Sequence, residues 1–66
     1  MSLIQYYNKK VKIVDDEGQT FVGKVKDYIY PEDNEPVERE SIVVDTADGE
    51  ILEFHEEIIR TIDIVE

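Results

Sequence analysis

Sixty-six residues without a cysteine make a single domain, 1–66, near the lower size limit for independent folding, with no disulfide or thiolate–metal site to reinforce the core. The net charge of −10 is divided unevenly: residues 1–26 carry five lysines against three acids, while residues 27–66 carry fourteen acids against Arg39 and Arg60. So acidic a surface repels phosphate backbones and anionic lipid heads, which argues against DNA and membrane partners and disfavours RNA without excluding it.

Ser2 to Asn8 is short, apolar and aromatic, and reads as one helical turn over 1–8, with Ser2 placed to cap it and Asn8 to stop it. A β region then fills 9–65. Lys9 to Val14 alternates, with Val11 and Ile13 facing one way and Lys10 and Lys12 the other. Asp15-Asp16-Glu17-Gly18 is a turn. Gln19 to Tyr30 is a long strand that places Phe21, Val25 and Ile29 on one face and Tyr28, Tyr30 and Val22 on the other. Gly23, inside that strand, marks a bend or a close backbone approach. Pro31 to Glu40 is an acidic, proline-bounded loop. Ser41 to Thr46 and Glu50 to Phe54 are strands about the Ala47-Asp48-Gly49 turn, and one tight turn at residues 55–58 leads into a last strand, Arg60 to Val65.

Two registers follow from placing Gly18 and Gly49 in the left-handed position of three-residue hairpin loops. The first pairs Ile13 with Phe21, Val11 with Gly23 and Lys10 with Lys24; the second pairs Val44 with Leu52 and Ile42 with Phe54. Each gathers the large apolar groups, Val22 apart, on one face, and a one-residue slip would scatter them. The expected fold is all-β: a small, strongly bent, five-stranded antiparallel barrel with a short N-terminal helical turn.

From Lys9 to Val65 the chain resembles an Sm-like (LSm) domain, or more broadly an SH3-like small barrel, and is similar to small bacterial proteins of the Sm-like kind. Val11 to Val25 resembles the first Sm motif: an apolar strand, an acid–glycine turn, and an aromatic two residues before a glycine (Phe21, Gly23). Phe54, Ile58 and Ile62 resemble the end of the second. These are packing and turn positions, so they speak to fold more than to activity. The resemblance implies assembly through edge strands, but not RNA binding. Where RNA-binding members place aspartate and asparagine, this chain has Ile29 and, late in its acidic loop, Asn34. Where they carry arginine–glycine or lysine–histidine it reads Phe54-His55-Glu56-Glu57, with His55 the sole remnant. Carboxylates in both loops are the wrong sign for phosphate.

Among candidate sites, Asn34 and His55 form a loop pair. His55 beside Glu56 and Glu57 lacks the second histidine or cysteine that a metal site needs, so a solvated turn is the better reading. The Asp-rich glycine turns lack the spacing of a calcium loop and are ordinary hairpin chemistry. Ser41 and Thr61 have no base in a nucleophile arrangement, and the isolated glycines form no phosphate cradle. The reading is therefore a non-enzyme without cofactor or metal. Tyr6, Tyr7, Tyr28 and Tyr30 are either a binding patch or a surface covered by the N-terminal turn. Lys10, Lys12, Lys24 and Lys26 form a basic stripe on the outer face of the first hairpin. It is either a solvated face or the complement of an acidic surface on the next subunit.

The expected function is a non-catalytic, homo-oligomeric scaffold or adaptor in the cytoplasm. The lack of cysteine suits that reducing compartment, and there is neither a leader nor a membrane-spanning run. On this reading, exchanging Lys10 and Lys24 for glutamate dissociates the oligomer. Two alternatives are an RNA-associated regulator working through the lysine hairpin and tyrosines, and an acidic nucleic-acid mimic that occupies a basic protein.

Overall fold

A computed structural model describes residues 2–33, 36 and 39–65. A 3-10 turn over Leu3–Tyr6 precedes β1 (Lys10–Asp15) and β2 (Thr20–Ile29). A second 3-10 turn, Pro31–Asp33, opens what the sequence suggested was only loop, its proline at the first position where no N–H is needed. Then come β3 (Ser41–Thr46), β4 (Ile51–His55), a 3-10 turn at Glu56–Ile58, and β5 (Ile59–Ile64). Asn8 stops the first turn at a left-handed φ of 65°, and its amide donates to the Val25 carbonyl. Ser2 makes no side-chain cap.

Both hairpins have the registers that the apolar pattern demands, Ile13 with Phe21 and Val44 with Leu52, with Gly18 and Gly49 at φ of 82° and 91°. Gly23 is a close approach: a Cβ there would stand 2.4 Å from the Asp45 carbonyl oxygen on β3.

All five strands are antiparallel, in the order β4-β3-β2-β1-β5. The expected barrel is not closed, because β4 and β5 are both edges of this sheet. The sheet must nevertheless curl. Four strand spacings of about 4.8 Å would put the outer strands about 19 Å apart if flat. The chain from His55 to Ile59 crosses that gap in four steps, which span about 14 Å even when extended and less in a 3-10 turn. The hollow of the curl holds the core: Leu3, Val11, Ile13, Val25, Ile42, Val44, Phe54, Ile59 and Ile62, with Phe21 edge-on to Phe54 at 5.1 Å. Leu3 is fully buried, so the N-terminal turn forms part of this core.

Beyond Val25 the faces of β2 differ from strict alternation. The pairing with β3 slips between Val25 and Asp27, a bulge that brings Tyr28 opposite the buried Ile42. Tyr28 therefore packs against the core rather than on the outer face, and Ile29, opposite Ser41, is not among the fully buried residues.

Candidate functional site

The lysine stripe is on the outer face as expected, with Lys10, Lys12, Lys24 and Lys26 all exposed. Lys10 faces Lys24 across the hairpin. The sheet places acids beside them: Lys24 is also opposite Asp45, and Lys12 opposite Asp63. Lys26 Nζ is 3.9 Å from Asp45 Oδ2, an exposed pair of little energetic weight. Pairing with β3 and β5 thus breaks the stripe into a mixed-charge face, which hairpin-level reasoning does not reveal. Such a face is a poor track for a nucleic-acid backbone.

Asn34 lies outside the described residues. His55 ends β4, with Nε2 3.8 Å from Glu53 Oε2, an ion pair when the imidazole is protonated. The same Glu53 oxygen accepts from the Ser41 hydroxyl at 2.8 Å, and Ser41 is fully buried. Donation to a base is itself how a serine nucleophile is activated, but the complete burial of Ser41 keeps its hydroxyl from any substrate. Among the described residues no three His, Asp or Glu side chains gather as metal ligands. In the turns, Asp15 Oδ1 accepts from the Glu17 and Gln19 amides at 3.0 and 2.8 Å, so this acid is committed to hairpin geometry.

Tyr7, Tyr28 and Tyr30 gather at one cleft, while Tyr6 packs against the core. The N-terminal turn lies beside them, yet it does not cover them. Ile4, Tyr7, Asp27, Tyr28 and Tyr30 line an open cleft of about 210 Å³. Tyr28 and Tyr30 meet nearly at right angles, 80° with centroids 4.9 Å apart, and form two of its walls. Asp27 Oδ1 accepts from the Tyr28 amide at 2.8 Å, which fixes the carboxylate at the rim. The Tyr28 phenol is held above its ordinary pKa of 10.0, first by burial, then by the nearby Glu40 carboxylate, to which it is hydrogen-bonded, and also by Tyr30 and Glu32. Glu40 in addition accepts from the Leu3 amide, which ties the N-terminal turn to this margin. Asp27 and the bulge that turns Tyr28 inward carry no signal in strand alternation alone. A larger hollow of about 310 Å³, lined by Thr20, Phe21, Val22 and the Thr46–Asp48 turn, gathers no comparable chemistry.

The two edges complete the geometry. The Thr46 amide bonds the Glu50 carbonyl, and that of Glu56 the Glu40 carbonyl. Antiparallel pairs alternate, so the amides of Ile51, Glu53 and His55 point away from β3. On β5, the Val65 amide bonds the Lys10 carbonyl, so those of Ile62 and Ile64 point away from β1 by the same alternation. Ile51 is 65% exposed and Ile64 48%. No helix among the described residues is long and apolar enough to cross a membrane.

No protein-family model, no curated protein and no solved structure matches the chain.

Proposed function

We propose that this chain is a non-catalytic, Sm-like module that assembles with copies of itself by pairing β4 of one subunit with β5 of the next, and so serves as a scaffold or adaptor. The observation that carries this reading is the pair of open edges, each with outward amides and an exposed isoleucine. An unpaired strand edge is a template for another strand, and two different edges on one molecule favour head-to-tail addition. Head-to-tail addition closes into a ring where the rotation between subunits permits. The buried Ser41 and the committed Asp15 support the non-catalytic part of the reading.

Light scattering of the native chain, at low and high salt, tests the assembly. A discrete species of about five to eight subunits supports closed head-to-tail pairing. A monomer at every concentration and salt overturns it.

A further inference from the structure

The tyrosine cleft is chemically distinct from the edges. Seven large apolar side chains are exposed among the described residues: Ile51, Ile64 and Val65 belong to the edges and Val22 to the lysine face, while Ile4, Tyr7 and Tyr30 converge on this cleft. We infer that the cleft binds an arginine side chain presented by a basic segment of a different protein. This goes beyond self-assembly and does not depend on it.

Ring faces attract cations through their quadrupole, and two rings at 80° offer one cation a wall and a floor. Asp27, at the rim, has one oxygen engaged by the Tyr28 amide and supplies the carboxylate that a guanidinium pairs with. Glu32 and Glu40 lie close enough to act on the Tyr28 phenol, so the field in the cleft is negative. A guanidinium is planar, stacks on aromatic faces and sheds water more readily than an ammonium, which favours arginine over lysine. The chain's own two arginines are engaged elsewhere: Arg39 Nε is 3.3 Å from Glu57, and Arg60 donates to the Asp16 carbonyl at 3.0 Å. The net charge of −10 draws a basic polypeptide as the source of the arginine.

The test titrates the isotope-labelled full chain with the blocked tripeptide Ala-Arg-Ala, followed by amide NMR shifts. Matched lysine and glutamate peptides and free choline serve as comparison probes. Saturable shifts centred on Tyr7 and residues 27–30, several-fold tighter for arginine than for lysine or choline, are expected. Tyr30→Ala should weaken binding by about two- to fivefold, and Asp27→Asn by about tenfold. Both positions are exposed, and asparagine keeps the acceptor for the Tyr28 amide, so the unperturbed spectrum of each variant verifies its fold. Three outcomes each overturn the inference: equal affinity for lysine or choline, shifts spread over the acidic surface, or variants that bind like the parent. The native mass, measured on the same samples, reports separately on self-assembly.

Discussion

Gly23 on β2 lies under the backbone of Asp45 on β3 so closely that a methyl group at 23 would meet the Asp45 carbonyl oxygen at 2.4 Å and the Thr46 Cα at 2.8 Å. Both neighbours are backbone in the same ladder and cannot swing aside. Gly23→Ala must push β3 away from β2, at a cost of about 3 kcal/mol. Gly18→Ala meets no atom within 4 Å and carries only the strain of a left-handed φ, about 1 kcal/mol. Urea unfolding of the two variants should therefore rank Gly23→Ala as clearly the less stable. Equal losses would mean that β2 and β3 separate without cost.

The Tyr28 phenol links stability to alkaline pH. Its folded-state pKa is raised above the ordinary 10.0, chiefly by burial and then by Glu40. The folded state thus holds the proton more tightly than the unfolded state does. The resulting stabilisation is fully present below pH 10 and is lost as pH rises through the folded-state value. Denaturant midpoints should fall above that pH in the parent, and fall less steeply in Tyr28→Phe. Tyr7→Phe, a change at an exposed ring, serves as the control and should track the parent.

The strand registers were legible because each hairpin has one glycine able to take the left-handed position and one face able to collect Val11, Ile13, Val44 and Phe54. Local pattern and turn chemistry agree there. What escaped needed longer-range information. The bulge after Val25 changes which face Tyr28 occupies, and no residue between 25 and 27 announces it. Asp45 and Asp63 dilute the lysine stripe only because β3 and β5 happen to flank the first hairpin. The open seam likewise depends on the strand order, which five correct strands do not specify. Asp27 reads as one more surface acid until the turn carrying Ile4 and Tyr7 is placed beside it.

The second hairpin turn carries an acid-side counterpart to Tyr28. Asp48 is held below its ordinary pKa of 3.8, first by the Thr46 hydroxyl, against an opposing contribution from burial, with the backbone amides of Asp48 and Glu50 each adding less to the lowering. A depressed folded-state value stabilises the fold above pH 3.8, and that contribution is lost as pH falls through the lowered value. Thr46 also accepts the Glu50 amide at 3.1 Å, so Thr46→Val removes both interactions from a buried position. The variant should lose about 1–2 kcal/mol at neutral pH. Below about pH 4 its stability should also decline less steeply than that of the parent. A parallel decline in the two proteins would show that Asp48 is not held by this hydroxyl.

Edge pairing and charge pairing predict different responses to substitution. Ile51 starts β4, its amide points away from β3, and its side chain is exposed. Proline at such a position deletes an outward donor and leaves the β3–β4 ladder intact, since the first residue of an edge strand tolerates it. Ile51→Pro should thus keep the fold but shift the native mass towards monomer. Lys24→Glu meets a different setting, because Asp45 already lies opposite Lys24 within the same subunit. Reversing that charge exchanges the like-charge pair with Lys10 for one with Asp45, so subunit stability should change little. It touches neither edge, so the assembled mass should persist, in high salt as in low. If Lys24→Glu dissociates the particle and Ile51→Pro does not, the lysine face joins the subunits and the edges do not.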